Sequence, residues 1–140
     1  MQINYWLVGV GAQAPQSRRG AALDLKARLP ERGWRLVWGL ARIPTGVALE
    51  MPSAAVVRIT GRSSAFLRGL LVHDGLVESE FNGQELQVLV YSPWPRVIRH
   101  GDRIAQMWAV PIDRDAFALV DGQMSPDTGS SKAGFGSTGR

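Results

Sequence analysis

The sequence predicts an all-β domain of antiparallel strands. Three observations carry this reading. Short runs rich in β-branched and aromatic residues recur along the chain, and clusters of Gly, Pro, Asn or Asp separate them. The third observation is the scarcity of helical pattern, which is confined to Ser63–Leu70. Strands of this length and spacing belong to a sandwich or a barrel.

In chain order, INYWLV is the first strand. No basic region precedes it, so it does not read as a signal peptide. The turn residues GVGAQAP follow, then GAALDL and the break LPERG. WRLVWG is the next strand, and PTG and MPSA read as turns on either side of VALE. VVRIT is a strand. SSAFLRGL gives one or two helical turns with Ser63 or Ser64 as N-cap. HDG and NGQ punctuate the chain before the strand LQVLVY. SPWP reads as a surface turn holding Trp94, and HGD leads into the last strand, RIAQMWAV. Trp6, Trp34, Trp38 and Trp108 sit in strand runs and are expected in the core or at a subunit interface. From about Gly122 small and polar residues dominate. The expected division is a β core over 1–122 and a C-terminal arm over 123–140.

At 140 residues the chain is one domain with room for a real core. No apolar run reaches the roughly eighteen residues a membrane helix needs, so a soluble, intracellular protein is expected, in nucleus or cytoplasm, with no membrane partner. There are no cysteines, which excludes disulfides and thiolate metal sites. With only His73 and His100 available, a histidine-rich metal centre is not expected, whereas an oxygen-liganded ion such as Mg²⁺ is compatible. The formal charge is +4, and nearly all the cations are Arg. A basic balance favours an anionic partner. The arginines are dispersed, however, and no aromatic-interleaved basic block points to nucleic acid; most read as solvated surface.

Five segments stand out in order: GAALDL (Gly20–Leu25), GRSSAF (Gly61–Phe66), HDGLVESEFNGQEL (His73–Leu86), GDRIAQ (Gly101–Gln106) and GSSKAGFGSTG near the C-terminus. Together they resemble the five motifs of the trimeric dUTPase family, over essentially the whole chain. PTGVALEMP resembles the family's spacer between the first two. The GRSS and VHDG forms are similar to those of viral members, which would place the protein in a host cell.

The resemblance implies an antiparallel jelly-roll barrel with one short helix and a flexible C-terminal arm. It implies a homotrimer whose active sites each draw segments from all three chains. The implied reaction splits dUTP into dUMP and pyrophosphate, with Mg²⁺ on the phosphates and water attacking the α-phosphorus. Glu78 takes the place of the acidic residue that activates the water, which is usually Asp. Gly75 and Val77 belong to a β-hairpin whose backbone holds the pyrimidine, and Phe81, usually Tyr, packs on the deoxyribose and excludes a 2′-hydroxyl. Ser63 and Ser64 belong to the phosphate cradle, Arg62 braces it, and Gln106 donates its amide. Asp102 and Arg103 are expected in an ion pair or in turn contacts. In the arm, Phe135 stacks on the uracil, and Gly136, Ser137 and Thr138 bind phosphate. The arm's usual Arg is Ser130 here, and Lys132 is a partial replacement. Asp24 holds the metal's water shell, orients a neighbouring chain or is structural; these readings stay open.

Two function classes stay open as well. One is an active dUTPase. The other is a catalytically weakened or inactive descendant that binds a nucleotide or a macromolecule. Retention of Ser64, Gln106, Phe135, Ser137 and Thr138 favours the enzyme, because a pure binding protein has less reason to keep a phosphate-binding lid. The related dCTP deaminases match the hairpin and the FGSTG arm less closely.

Overall fold

A computed structural model describes residues 1–17 and 20–122. Among the described residues nine strands build two antiparallel sheets that face one another. In chain order they are β1 (Asn4–Leu7), β2 (Gln16–Ser17), β3 (Leu23–Lys26), β4 (Trp34–Glu50), β5 (Ala55–Thr60), β6 (Leu71–Val72), β7 (Gly75–Val77), β8 (Glu85–Arg99) and β9 (Arg103–Pro111). One helix, α1 (Ser63–Leu67), lies between β5 and β6. The first sheet has the order β1-β4-β8-β6 and the second β2-β3-β9-β5-β7. The result is the expected jelly-roll-like architecture, built as a sandwich rather than a closed barrel.

Alternation along the strands explains the core. In β8, Leu86, Val88 and Val90 point inward while Gln87, Leu89 and Tyr91 point out. Leu25, Ile43, Leu49 and Ile104 meet them from the other strands, each at most 2% exposed. The inward set therefore leaves water almost completely, which is the dominant favourable contribution to folding.

Two expected turns are instead bulges inside long strands. The register between β4 and β8 shifts between Pro44 and Ala48, and again between Val37 and Gly39. At the first shift Pro44 has no N–H for the ladder. The Thr45 hydroxyl donates to the Leu86 carbonyl at 2.7 Å, and the Gly46 N–H donates to Glu85 Oε2 at 2.9 Å, so the bend keeps its polar groups satisfied. Gly46 has φ +70, and an added Cβ would lie 2.6 Å from Ala12 Cβ, so only glycine fits. At the second shift SPWP bulges out of β8. The Ser92 hydroxyl donates to the Trp94 carbonyl at 2.6 Å, and the Trp94 indole lies over Gly69 just after α1. Trp94 is thus a bulge residue that anchors the helix, not a turn residue.

The tryptophans expected in core or interface do not enter the core of this subunit. Trp6, Trp34 and Trp38 are 53%, 45% and 69% exposed. Trp108 is half-buried under the Arg58 guanidinium, whose carbon lies 5.6 Å from the ring centre. Among the described residues no helix is long and apolar enough to cross a membrane.

Candidate active site

The GAALDL, GRSSAF and GDRIAQ segments meet because β3 and β9 are ladder partners and β5 pairs with the other edge of β9. Asp24 stands opposite Gln106 on one side, and Thr60 stands opposite Gln106 on the other. This register brings three segments distant in sequence to one end of the sheet.

A carboxylate holds them together. Asp24 is buried, with Oδ1 3.2 Å from Nε of Arg62 and Oδ2 3.8 Å from Nη1 of Arg103. Arg62 Nη1 also donates to the Arg103 carbonyl at 3.2 Å. Arg103 Nη2 donates to Gln16 Oε1 at 2.8 Å. Arg103 therefore pairs with Asp24, and not with the adjacent Asp102, whose carboxylate accepts the Arg99 N–H at 2.8 Å across the turn. The two positive charges offset the buried carboxylate, Arg62 closely and Arg103 at a longer reach. In this chain it is a brace for β3, β9 and the start of α1. Among the described residues no three His, Asp or Glu side chains gather in a metal-holding group.

Above this brace opens a cleft of about 1010 Å³, lined by Asp24, Gly61, Arg62, Ser63, Ser64 and Gln106 among others. The N-cap of α1 is Arg62, with extended backbone (φ −85, ψ 144) and no side-chain cap bond. Ser63 and Ser64 are the first two helical residues, which corrects the expected cap. The Arg62 carbonyl accepts from the Ala65 and Phe66 N–H groups at 3.0 and 3.1 Å. The N–H groups of Ser63 and Ser64 thus precede the first intrahelical donor, and both residues are exposed on the cleft. Gln106 Nε2 donates to Thr60 Oγ1 and the Gly61 carbonyl at 3.4 and 3.3 Å, long bonds that a better acceptor can displace. Gln106, Ser63 and Ser64 present only neutral donors. The cations Arg62 and Arg103 lie beneath them.

A second cleft, of about 470 Å³, lies between β7 and β8 and is lined by His73, Gly75, Val77, Phe81, Gln84 and Glu85 among others. The expected β-hairpin is not closed. Gly75, Leu76 and Val77 pair with Ile59, Arg58 and Val57 of β5, so β7 joins the second sheet while β8 belongs to the first. The two arms splay and leave a groove between them. After β7 the chain makes one 3₁₀ turn, Ser79–Phe81, because the Glu78 carbonyl accepts the Phe81 N–H at 2.9 Å. Asn82 then clamps the turn to the body. Its amide accepts the Met51 N–H at 3.1 Å and donates to the Met51 carbonyl at 3.0 Å. Phe81, 48% exposed, stands at the mouth of the groove. Glu78 is half-buried at the start of the turn and has no ion-pair partner among the described residues.

The floor of the groove is pinned by Glu85. Its two oxygens accept Nε and Nη2 of Arg28, both at 2.8 Å, and one also accepts the Gly46 N–H. Hydrogen bonding to Arg28 is the main reason the Glu85 carboxyl titrates below its usual range, with burial opposing it; Arg28 is held above its own for the reciprocal reason.

A single strap of chain separates the clefts. Leu71, Val72 and Asp74 face the first, and His73, Gly75 and Leu76 face the second. The structure therefore sorts the expected site residues into two groups within one subunit: Asp24, Arg62, Ser63, Ser64 and Gln106, against Gly75, Val77 and Phe81. Glu78 lines neither. Lys132, Phe135, Gly136, Ser137 and Thr138 lie outside the described residues. Sequence reasoning missed Glu85 and His73 as groove residues, although both fall within the third motif. It also treated Arg68 and Arg96 as dispersed surface charge, whereas the fold gathers them with Arg62 and Arg103.

The chain is similar to known proteins along most of its length. The dUTPase family model matches residues 11–139. The deoxyuridine 5'-triphosphate nucleotidohydrolase of Anaeromyxobacter sp. is 38% identical over 125 residues, covering 86% of this chain and 82% of that protein. The enzyme of the same name from Enterobacter sp. is 35% identical over 144 residues, covering 94% and 91%. Among solved structures, a mutant dUTPase from phage phi11 of S. aureus, described with a structural Mg(II) ion, superposes with a TM-score of 0.76 at 18% identity, over 89% of this chain and all (100%) of that one. A mutant phage 80alpha dUTPase with dUpNHpp also gives 0.76, at 20% identity and with 99% of both chains covered.

Proposed function

The chain belongs to the dUTPase family and is a dUTP diphosphatase, and from that premise we propose how its residues divide the work. Water attacks the α-phosphorus of dUTP, a new P–O bond forms, the bond to the α,β-bridging oxygen breaks, and dUMP and pyrophosphate leave. Glu78 takes the proton of the attacking water. Its half-buried carboxylate, unpaired among the described residues, supports this role, because a general base must be free to accept.

The Ser63 and Ser64 hydroxyls and N–H groups, with the Gln106 amide, bind phosphate oxygens in the larger cleft. Arg62 and Arg103 hold this surface in place through Asp24 and supply positive field from below. The nucleoside enters the groove between β7 and β8, where the free backbone edge at Gly75 and Val77 reads the pyrimidine. Phe81 packs on the deoxyribose. The C-terminal residues Lys132, Phe135, Gly136, Ser137 and Thr138 complete the phosphate and base contacts. Mg²⁺ supplies charge neutralisation on the triphosphate. Asp24 is a poor anchor for it, since the Arg62 and Arg103 guanidiniums already stand 3.2 and 3.8 Å from its oxygens. When bound, the ion would be held chiefly by the substrate's own phosphates.

The observation that carries this reading is the division of the motifs between two clefts with a strap of chain between them. A nucleotide that used both clefts of one subunit would have to cross that strap, and we propose instead that the base groove of one copy works with the phosphate cleft of another. The outer face of the first sheet supports such an assembly. Leu36 pairs with Val97, and Leu40 with Tyr91, which also pairs with Leu71. Leu36, Leu40, Leu71, Tyr91 and Val97 are 42–83% exposed, an apolar surface of the kind that copies of a chain cover. We place the homotrimer contact there.

The test is pyrophosphate release from dUTP with Mg²⁺, against dTTP, dCTP and UTP, for the wild type and Glu78→Gln. Release from dUTP alone, abolished by the substitution, is expected. Tight binding of a non-hydrolysable dUTP analogue without release by the wild type would instead identify a nucleotide-binding descendant.

A further inference from the structure

On the far side of α1 from the phosphate cleft lies another recess, of about 530 Å³. Arg62, Arg68, Arg96 and Arg103 line it, against one carboxylate among the described residues, that of Asp102. They come from three places. Arg62 and Arg68 flank α1, Arg96 projects inward from β8 between exposed Pro95 and Val97, and Arg103 begins β9.

Local partners leave much of this charge unanswered. Asp102 is already engaged with the Arg99 N–H. Asp24 pairs closely with Arg62 alone, at 3.2 Å. Arg96 donates through Nη2 to the Arg68 carbonyl, which is neutral. Arg96 Nε and Arg103 Nη1 are buried and have no hydrogen-bond acceptor among the described residues. Arg103 Nη1 reaches Asp24 only at 3.8 Å, beyond hydrogen-bond distance. Buried donors without acceptors are rare and costly, and such a group asks for a ligand that supplies the acceptor.

We propose that this recess is a second anion site, distinct from the substrate's phosphate cleft, that takes a phosphate or pyrophosphate group. Planar guanidiniums arriving from several directions suit the several oxygens of a phosphoryl group, which accept two N–H bonds from one fork. Arg62 and Ser64 line both recesses, so the two lie on either face of α1. Pyrophosphate, the leaving group of the proposed reaction, is the nearest source. In that respect the inference rests on the function proposed above. Occupancy here couples product to the Arg62–Asp24 brace and so to substrate binding.

The experiment is calorimetric titration of pyrophosphate, and separately of inorganic phosphate, into the full-length assembled protein saturated with a non-hydrolysable dUTP analogue. The analogue fills the substrate's phosphate positions, so any anion binding that persists belongs elsewhere. The wild type is expected to bind pyrophosphate. Arg96→Gln and Arg68→Gln are each expected to weaken it about tenfold or more, ~1.4 kcal/mol, with analogue affinity unchanged. Arg68 is exposed, so its variant tests the charge without disturbing the core. No pyrophosphate binding to the saturated wild type, or equal affinity in both variants, overturns the proposal. Phosphate binding as tightly as pyrophosphate identifies a general phosphoryl site and still supports it. Failure of the analogue itself to bind counts against the dUTPase mechanism, and the same titrations without analogue then decide the recess by the same criterion.

Discussion

Asp24 and Arg62 form the link between the first and second motifs, with carboxylate Oδ1 3.2 Å from the guanidinium Nε and both side chains largely buried. The pair ties β3 to the start of α1, where the phosphate-facing serines begin. Its partner Arg103 ties in β9. Removing the charge leaves two guanidiniums uncompensated. Asp24→Asn is expected to destabilise the fold by ~3 kcal/mol and to raise KM for dUTP as Ser63 and Ser64 lose their support. Thermal unfolding and steady-state kinetics check both effects.

Arg28 and Glu85 make the corresponding brace beneath the nucleoside groove. Glu85 titrates below the ordinary carboxylate range when folded, so the unfolded chain binds its proton at higher pH. The stabilisation is complete above about pH 4.3, the unfolded value, and is lost as pH falls through the depressed folded value. Glu85→Gln is expected to cost roughly 1.5–3 kcal/mol at neutral pH and to flatten the acid limb of the stability profile. Denaturant melts between pH 3 and 7 test this; a parallel downward shift at every pH would contradict it.

Gly69 has φ +83, and a Cβ there would lie 2.4 Å from Cζ2 of Trp94. Gly69→Ala is expected to destabilise by about 2–4 kcal/mol through strain and overlap. In the background Trp94→Ala the steric part disappears, so the penalty falls to ~1 kcal/mol, the cost of the left-handed backbone alone. A double-mutant cycle by chemical denaturation measures the difference.

Phe81 stands at the groove mouth with half of its surface open. Phe81→Ala is expected to raise KM for dUTP and to lower discrimination against UTP by about tenfold, as the face that excludes a 2′-hydroxyl is removed. The ratio of kcat/KM for the two nucleotides is the readout.

The strands were legible because alternation in runs such as LQVLVY encodes which face is buried, and the structure places them as expected. The PTG and SPWP breaks were misread because proline and glycine mark bulges as well as turns. Ser63 and Ser64 were read as caps, yet the backbone of Arg62 supplies the cap position without a side-chain bond. The Asp24 brace was only half legible. Its partners lie 38 and 79 positions away in the chain, and nothing local distinguishes a carboxylate facing arginines from one awaiting a metal. The gathering of Arg62, Arg68, Arg96 and Arg103 was not legible at all, since single arginines in a mildly basic sequence look alike until topology collects them.

The central claim is that one dUTPase site joins the groove of one copy to the phosphate cleft of another. Subunit complementation tests it most directly. Glu78→Gln and Ser64→Ala chains are purified separately, each expected to be nearly inactive, then unfolded together and reassembled in equal amounts. If Glu78 and Ser64 serve one site from different chains, the mixture regains about one quarter of wild-type activity, the share of contacts in a closed ring that pair two intact segments. If each chain builds its own site, every site in the mixture carries one lesion, and activity stays at the level of the separate variants.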